Sequence, residues 1–252
     1  MQWKLNSKQG RIVFGNKTPG QALNQLNSPN DVVFDKKTNS LIIADQGNRR
    51  ILRWSLNENT QIGEVLIPNI SCSNLAIDQE GSIYVSDNVK HEVRRWKKGE
   101  KEGTIVAGGN GQGRQLNQLN NPTYLFIDQE YSLYVTDQNN YRIMKWAKDA
   151  KTGLQVLSCT GSMNRQATKW SEIAGVFVNS FEQVFAADSD LNRVARWHRD
   201  QESSNIILPQ NPTAKTETGS NGFTSLTFDN AANLYVTDTF NNRVLKFEID
   251  FD

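Results

Sequence analysis

Apolar residues in this chain come in short runs of three to six residues, which Asn, Gly, Ser and Pro interrupt at close intervals. Val, Ile, Tyr and Trp dominate these runs, as in Leu133–Val135 and Thr104–Val106, and such residues favour β-strands. No stretch keeps the spacing of apolar residues that an amphipathic helix needs over three turns. The pattern therefore predicts an all-β protein.

One segment recurs five times along the chain. Each copy has an apolar strand that ends in Asp, a polar turn, and a second strand that ends in Trp or Phe. The copies are LIIADQGNRRILRW, IYVSDNVKHEVRRW, LYVTDQNNYRIMKW, VFAADSDLNRVARW and LYVTDTFNNRVLKF. Successive copies end 42, 50, 51 and 50 residues apart. A period of this length is typical of a β-propeller in which each unit forms one four-stranded blade.

The repeats predict a single propeller domain over residues 1–252. Residues 1–15 fit the tail of a preceding blade. The five repeat units span about 28–67, 72–107, 121–158, 173–208 and 223–252. Each unit is expected to contribute four short antiparallel strands, which we label a to d in chain order.

Two closures of the ring are compatible with these repeats. Five blades would close if Ile12–Phe14 paired with Arg243–Phe247 as a strap across the ring. The alternative is an incomplete six-bladed ring, with open strand edges that favour association. We favour the incomplete ring of a six-bladed parent, because Trp3 and Phe247 would otherwise compete for the same place.

Several positions recur together in a fixed order. They are a Pro, a short strand ending in Asp, Leu-Tyr-Val-x-Asp, x-x-Asn-x-Arg-Val-x-x-Trp and Val-Ala-Gly-Gly-x-Gly, best seen in Asn121–Trp146 and Thr104–Gly113. This order resembles the NHL repeat. The resemblance implies a six-bladed NHL-type β-propeller, a fold used chiefly as a binding platform. It also brings in the NHL domains of tripartite-motif ubiquitin ligases, which bind RNA through a basic face.

Charge and hydropathy narrow the classes of partner. The chain has 28 Lys and Arg against 27 Asp and Glu, a net charge of +1, so it lacks the overall basic character of a nucleic-acid-binding domain. No run approaches the eighteen apolar residues of a membrane span, and Met1–Gly10 lacks the apolar core of a signal peptide. We therefore expect no membrane association and a cytoplasmic location.

Few side chains in the chain suit catalysis. Cys72, Cys159, His91 and His198 are its only Cys and His residues, and they fall at unrelated phases of the repeat. No Cys–His nucleophile pair and no zinc site can be assembled from them. Some NHL propellers resemble amidating-enzyme lyases that hold zinc with several His residues, and two His are too few for that activity. We therefore expect no enzyme, no catalytic residues, no metal and no cofactor.

Three columns of the repeat have a structural interpretation. The Asp residues that end the second strands are expected to cap turns and to pair with the Arg five positions later: Asp45, Asp87, Asp137, Asp188 and Asp238. Glu92 replaces this Arg in the second unit, where Lys90 or Arg94 is expected to compensate. The residues that close the first strands are also expected to cap turns: Asp35, Asp78, Asp128, Asn179 and Asp229. The aromatic column is expected to pack between blades: Trp3, Trp54, Trp96, Trp146, Trp197 and Phe247.

Recognition is predicted on one end of the propeller. In an antiparallel blade the b–c turns and the d–a connections emerge on one face, here called the upper face, and the a–b and c–d turns on the lower face. Residues that vary among the upper turns are expected to bind a partner: Arg49, His91, Tyr141, Asn192, Phe240 and Asn242. The short connection Pro68–Asn74 predicts a notch in this rim, lined by Cys72.

Three functions compete on these observations. The leading hypothesis is a non-enzymatic binding or scaffold module that presents its loop-rich face to a protein or peptide. The alternative is an RNA-binding NHL domain, which a steep salt dependence of RNA binding would support. The second alternative is a metal-dependent hydrolase or lyase in the central channel, which bound calcium or zinc would reveal.

Overall fold

The fold is a five-bladed β-propeller, which confirms the all-β prediction. The computed structural model describes residues 9–10, 12–15, 18–57, 62–158, 173–197, 205–208 and 222–249. Within these residues the chain forms four four-stranded antiparallel sheets and one three-stranded sheet, each with its strands in sequence order. The described residues thus form five of the six blades that the NHL resemblance implied.

Each sheet is one blade, and its first strand is the innermost. The first two blades comprise β1 (Pro29–Asp35), β2 (Ser40–Asp45), β3 (Arg50–Ser55), β4 (Glu64–Pro68), β5 (Cys72–Ile77), β6 (Ile83–Asp87), β7 (Glu92–Trp96) and β8 (Thr104–Gly108). The third and fourth blades comprise β9 (Pro122–Ile127), β10 (Leu133–Asp137), β11 (Arg142–Trp146), β12 (Leu154–Ser158), β13 (Ile173–Val178), β14 (Val184–Asp188), β15 (Arg193–Trp197) and β16 (Asn205–Leu208). The fifth comprises β17 (Phe223–Phe228), β18 (Asn233–Asp238) and β19 (Arg243–Glu248).

The hydrophobic core lies between blades. β5 contacts β1, β9 contacts β5, β13 contacts β9, and β17 contacts β13. The buried clusters join side chains of two successive blades, as Ile42 of the first blade and Leu75 of the second do. Because a strand presents alternate residues to its two sides, the second, third and fourth blades each share one apolar face with the blade before and one with the blade after.

The aromatic column packs between blades as predicted. Trp54, Trp96, Trp146 and Trp197 are all buried, and the last three lie in clusters shared with the preceding blade. Trp54 of the first blade instead packs on Phe14, with 4.2 Å between ring centroids. Trp3 lies outside the described residues.

The strap predicted for a five-bladed closure is not formed by the described residues. Ile12–Phe14 is not a strand, and β19 is an edge strand of its sheet. Phe14 cannot pair there because it covers Trp54 on the outside of the first blade. Val32 of β1 and Val244 of β19 consequently remain 54% and 64% exposed.

A β-bulge at the start of each inner strand ties successive blades together. It turns the carboxylate of Asp31 towards the second blade, where Oδ2 accepts a hydrogen bond of 2.8 Å from the N–H of Leu75. Asn74 has the same place in the second blade, and its Oδ1 accepts 2.9 Å from the N–H of Leu125. In the fourth blade the place belongs to Gly175, where a Cβ would lie 2.8 Å from Cα of Ser225. These contacts fix the spacing of the inner strands.

The predicted Asp–Arg pairs are present in four blades. Arg50, Arg142, Arg193 and Arg243 lie 2.7, 2.6, 3.3 and 2.7 Å from the Asp five positions earlier. In the second blade Arg94 pairs with Glu92 at 2.5 Å, so Arg94 is the residue that compensates. Backbone N–H groups of Val89 and Lys90 cap Asp87 there, as expected of an Asx turn.

No described helix is long or apolar enough to cross a bilayer, since Gln46–Asn48 and Gln138–Asn140 are single 3-10 turns.

Candidate functional site

The six residues predicted to bind a partner lie in the upper b–c turns, and the structure divides them into two groups. Tyr141 and Phe240 are 47% and 54% exposed, and Arg49 and Asn242 are exposed as well. His91 is half-buried and Asn192 is buried. The first four residues present their side chains to solvent, and their part in binding stays a prediction.

His91 and Asn192 instead hold the next blade. Nδ1 of His91 accepts a hydrogen bond of 3.1 Å from the N–H of Asn121. Oδ1 of Asn192 accepts one of 3.3 Å from the N–H of Phe223. Each acceptor lies at the same turn position and reaches the start of the next inner strand, at Asn121 just before β9 and at Phe223, the first residue of β17. The variation among these turns therefore includes blade-joining contacts as well as free side chains.

The predicted notch beside the second blade is wrong in its lining. Cys72 is fully buried in the cluster between the first and second blades. Ile70 of the short connection is buried in the same cluster. The connection is short, but it packs inward and covers the thiol. Burial raises the pKa of the Cys72 thiol to about 11, which makes it a poor nucleophile.

The upper end of the channel offers amides and hydroxyls only. A cavity of about 150 Å³ lies there, lined by Asn30, Ser73, Asn74, Thr123, Tyr124, Gln138, Ala174, Ser189 and Thr224. Asn30 donates to the carbonyl of Ser73, so part of this polar lining is already satisfied. The lining has no carboxylate or imidazole to exchange a proton, and we place no catalytic site at this end.

A larger cavity opens on the lower face, where the inner strands of the third, fourth and fifth blades end. It has a volume of about 880 Å³. Its lining comprises Phe126–Glu130, Phe177–Gln183, Phe185, Phe228–Asn230 and Ala232. We call it the lower cavity. Its size is that of a pocket for a small organic ligand.

The floor of the lower cavity is aromatic. Phe177 lies at its centre, with its ring centroid 5.1 Å from that of Phe126, 4.9 Å from Phe228 and 6.2 Å from Phe185. The Phe185 and Phe228 rings are 4.9 Å apart and nearly perpendicular. Edge-to-face contacts of this kind hold rings in fixed orientations. The floor is therefore a rigid apolar surface contributed by three blades.

The rim of the lower cavity is acidic. Within the lining named above, the ionisable side chains are the carboxylates of Asp128, Glu130, Glu182 and Asp229. Hydrogen bonds from Asn233, and others from Ala231 and Tyr235, hold the pKa of Asp229 below its ordinary value. A phosphate backbone would be repelled by this lining, so the RNA-binding alternative finds no support here.

A lysine joins two of these carboxylates across neighbouring blades. Nζ of Lys145, on β11 of the third blade, lies 3.6 Å from Oδ2 of Asp128 in the same blade. It lies 3.4 Å from Oε1 of Glu182 in the fourth blade. It also stands 5.1 Å from the ring centroid of Tyr134. Lys145 therefore holds Glu182 at the edge of the cavity.

The protonation state of Lys145 follows from these neighbours. Burial would lower its pKa, but the Tyr134 hydroxyl and the two carboxylates outweigh burial, and the net shift is upward. Lys145 consequently remains an ammonium ion near neutral pH. It can attract negative charge but cannot accept a proton.

Glu182 occupies a backbone conformation that side chains rarely adopt. Its φ is +56°, in the left-handed region that favours glycine. The equivalent position of the second blade's turn is Gly81, with φ +88°. Tyr131 and Ala232 have this position in the third and fifth blades, with φ +63° and +61°. The conformation therefore belongs to the turn, and in the fourth blade it sets the Glu182 carboxylate beside Lys145.

Asn179 and the Asp residues of its column cap the lower turns, as predicted. Oδ1 of Asp128 accepts from the N–H groups of Glu130 and Ser132 at 3.0 and 2.7 Å. Oδ1 of Asn179 accepts from Phe181 and Gln183, both at 3.0 Å. The prediction was incomplete, because these caps also line the cavity, and Asp128 uses its second oxygen for Lys145.

The metal-dependent alternative lacks a donor set in the described part of the chain. There, no group of three or more His, Cys, Asp or Glu side chains converges as a metal site would require. The carboxylates of the lower cavity are spread around its rim, and one pair is bridged by Lys145. The residues present do not fit a bound metal ion, and we derive no step through one.

Comparisons with known proteins concern the fold. No family profile matches the chain, and no curated protein matches it. Similar solved structures include virginiamycin B lyase from Staphylococcus aureus, 14% identical with a TM-score of 0.61 over 90% of this chain and 72% of that one. A gluconolactonase from Xanthomonas campestris is 10% identical, with a TM-score of 0.67 over 90% and 77% of the two chains. A chain of a nidogen/laminin complex is 18% identical, with a TM-score of 0.67 over 88% and 76%.

These likenesses correct the prediction of a non-enzymatic module. That prediction took the propeller for a binding platform, and the expected absence of enzyme activity followed from the absence of a Cys–His pair. Two of the three structures named here are enzymes, a lyase and a lactonase, and the non-enzymatic interpretation is wrong on these findings. At 10–18% identity the likeness shows the fold alone. This chain shares its propeller architecture with proteins that include enzymes.

Proposed function

We propose that this propeller is a hydrolase or lyase that acts on a small organic molecule in the lower cavity. One observation carries the proposal. Lys145 bridges Asp128 and Glu182, which belong to two neighbouring blades, at the edge of an aromatic-floored cavity of about 880 Å³. Such an arrangement puts a proton acceptor, Glu182, on the rim of the cavity and a fixed positive charge directly behind it.

The two partners of Lys145 have different roles in the proposed reaction. The Asp128 side chain is 15% exposed and the Glu182 side chain is 37% exposed, and Asp128 is also committed to its turn. Glu182 is therefore the group that reaches a ligand. In hydrolysis it would take a proton from water as the oxygen attacks a carbonyl carbon, and the Lys145 ammonium would stabilise the oxyanion. The proton would then pass from Glu182 to the leaving oxygen as the carbon–oxygen bond breaks.

The same groups suit an elimination. Glu182 would take the proton from a carbon next to a carbonyl, and Lys145 would stabilise the enolate oxygen. The electron pair would then form a double bond as the leaving group departs. The names of the similar enzymes, a lyase and a gluconolactonase, support both reaction classes as candidates for this fold.

The test is turnover of a defined panel with matched variants. The panel contains glucono-lactone, other lactones and aryl esters, followed by pH-stat, and virginiamycin B, followed by mass spectrometry. Glu182→Gln and Lys145→Met each remove one proposed role, and we expect kcat/KM to fall at least about a hundredfold in each. Glu64→Gln and Lys101→Met are the controls, because these exposed side chains belong to the first and second blades, whose residues do not line the cavity.

Two results would contradict the proposal. One is the absence of turnover across the whole panel by wild-type protein that melts cooperatively. The other is turnover that Glu182→Gln and Lys145→Met leave at the wild-type rate. Controls that lose activity as much as the two test variants would also count against the assigned residues.

We further propose that the blades are NHL repeats and that the protein acts in the cytoplasm. The recurring Asn-x-Arg-Val-x-x-Trp segment supports the repeat type. The third-blade copy runs from Asn140 to Trp146, and its Arg142 and Trp146 are both buried. The apolar pattern of the chain supports the compartment. Fractionation of cells that express the tagged chain tests the compartment, and recovery in a membrane or secreted fraction would contradict it.

A further inference from the structure

We propose that the ligand of the lower cavity is an organic ammonium ion with an apolar body. This inference names the substrate class for the proposed hydrolase or lyase and rests on that function. It can also be tested by binding alone. Shape, aromatic character and charge of the cavity each contribute to the argument.

The apolar body is required by the floor. Phe177 is only half-buried and its ring lies between those of Phe126 and Phe228. A ligand that enters the cavity therefore displaces water from aromatic carbon, which is favourable for an apolar group and unfavourable for a sugar-like one. The volume of about 880 Å³ leaves room for a ring-sized body.

The positive charge is required by the rim. Asp128, Glu130, Glu182 and Asp229 line the cavity, and the described lining holds no Lys, Arg or His. Lys145 stands behind Asp128 and Glu182 and neutralises part of their charge. Asp229 and Glu130 keep theirs, and the potential in the cavity is negative. An anion would be repelled and a cation attracted.

The floor and the rim act on the same ligand. The face of an aromatic ring is the negative end of its quadrupole, and an ammonium group over such a face gains about tenfold in affinity or more when water is displaced. The half-buried rings of Phe126, Phe177 and Phe228 line the same cavity as the carboxylates. A cation with an apolar body satisfies both surfaces, whereas a neutral ligand leaves the carboxylates unused.

Two of the floor residues are aromatic only in this part of the ring, and a third lacks the hydroxyl of its counterparts. Phe126 and Phe177 stand at one inner-strand position, where the other blades have Val33, Ala76 and Thr227. Phe185 stands where the second, third and fifth blades have Tyr84, Tyr134 and Tyr235. A position common to all blades serves the blade. These departures cluster around one cavity, which is what a ligand site on a repeat scaffold requires.

The test measures the binding of three probes of similar body and different charge. Benzyltrimethylammonium, benzyl alcohol and phenylacetate are titrated into the wild-type protein by calorimetry at two salt concentrations. We expect the cation to bind at least about tenfold more tightly than the alcohol, the anion to give no measurable binding, and the affinity for the cation to fall as salt rises.

Two variants assign the binding to the cavity. Phe177→Leu keeps an apolar side chain but removes the aromatic face, and we expect about a tenfold loss of affinity for the cation with little change for benzyl alcohol. Asp229→Asn removes one charge and should weaken the cation a few-fold. Phe34→Leu is the control, since Phe34 is an exposed Phe of β1 that is not among the residues lining the cavity.

The possible outcomes separate this inference from the proposed function. Equal affinity for the cation and the alcohol, or Phe177→Leu with unchanged cation binding, overturns the ammonium inference. Cation-selective binding that Phe177→Leu weakens supports it, whether or not any ester is turned over. Turnover that depends on Glu182 without cation selectivity would sustain the proposed function and remove this inference alone.

Discussion

The buried pair of Arg142 and Asp137 makes a quantitative prediction about what holds the blades. Arg142 donates from Nε to Oδ2 of Asp137 at 2.6 Å. Its other nitrogens donate to the main-chain oxygens of Arg114, Gln115 and Gln118 at 2.9, 3.0 and 3.0 Å. One guanidinium thus joins the b–c turn to the connection that precedes the same blade. The perturbation is Arg142→Met, which keeps length and apolar stem but removes every donor.

The expected loss follows from burial. The side chains of Arg142 and Asp137 are 2% and 0% exposed, and without Arg142 the carboxylate keeps hydrogen bonds from Asn120 and Asn140 but no counter-charge. Removal of one partner from a buried pair costs about 3–5 kcal/mol. For a domain of this size such a loss lowers the melting temperature by about 6–20 °C.

The equivalent Arg–Asp pairs of the first and fifth blades provide the control. Arg243 pairs with Asp238 at 2.7 Å, but its side chain is 49% exposed, and Arg243→Met should cost no more than about 1 kcal/mol because solvent screens the pair. Arg50 is 11% exposed and bonds its connection as Arg142 does, so Arg50→Met should fall close to Arg142→Met. All three variants remove the same charge.

The assay is urea unfolding followed by Trp fluorescence, with the midpoint and slope measured for each variant. The order of loss should be Arg142, then Arg50, then Arg243. Asp137→Asn combined with Arg142→Met should recover part of the loss, because a buried neutral amide costs less than an unpaired carboxylate. Equal losses for Arg142→Met and Arg243→Met would refute the reasoning, since burial would then not decide the strength of the pair.

Three further predictions concern single side chains. Burial raises the pKa of Asp31, so its ionisation destabilises the fold as pH rises above about 4; Asp31→Asn should therefore be at least as stable as wild type at pH 7, with an advantage in urea midpoint that shrinks towards pH 4. Burial raises the pKa of the Cys72 thiol from 9.0 to about 11. In a Cys159→Ser variant at pH 8, the rate at which Cys72 reacts with an aromatic disulfide reagent should be at least about a hundredfold lower in the folded protein than in the urea-unfolded protein. Glu182→Gly should leave the free energy of unfolding unchanged or raise it by up to about 1 kcal/mol, because Glu182 has φ +56° and Gly81 stands at the equivalent position. The proposed turnover should be lost. A clear loss of stability in urea unfolding would contradict the backbone strain.

The fold was predictable because each blade repeats the same local chemistry. The apolar runs Leu133–Val135 and Thr104–Val106 predicted strands, and the structure has strands that begin at Leu133 and Thr104. Asp–Arg spacing, turn caps and the Trp column were predictable for the same reason, since a contact within one blade or with its neighbour recurs wherever the residues recur. The absence of the predicted strap could not be foreseen, because Phe14 packs on Trp54. Phe14 lies outside the five repeat units, so their pattern does not specify this contact.

The site was missed because its residues look like ordinary members of a blade. Phe126 and Phe177 read as core positions of inner strands, and Lys145 reads as one of the basic residues that recur on the third strands. Their meeting at one cavity depends on the angle between blades, which no local pattern specifies. Partner binding was predicted on the upper turns because their side chains vary most. Two of the varied residues, His91 and Asn192, instead hold the next blade.

A departure from the repeat marks a site only when its own blade does not repair it. Glu92 departs from the Arg of its column, yet Arg94 lies 2.5 Å away and neutralises the new charge; that change is internal to the second blade. Asn179 departs from the Asp of its column and still caps its turn, but it leaves the fourth blade without the carboxylate that its neighbours have. Phe185 departs beside it, so the floor between Asp128 and Asp229 is aromatic, and the fourth blade supplies its carboxylate from Glu182 of its turn instead. Both changes, at Asn179 and at Phe185, face the lower cavity. They therefore mark the lower cavity, and not the upper turns, as the place where this propeller departs from its own repeat.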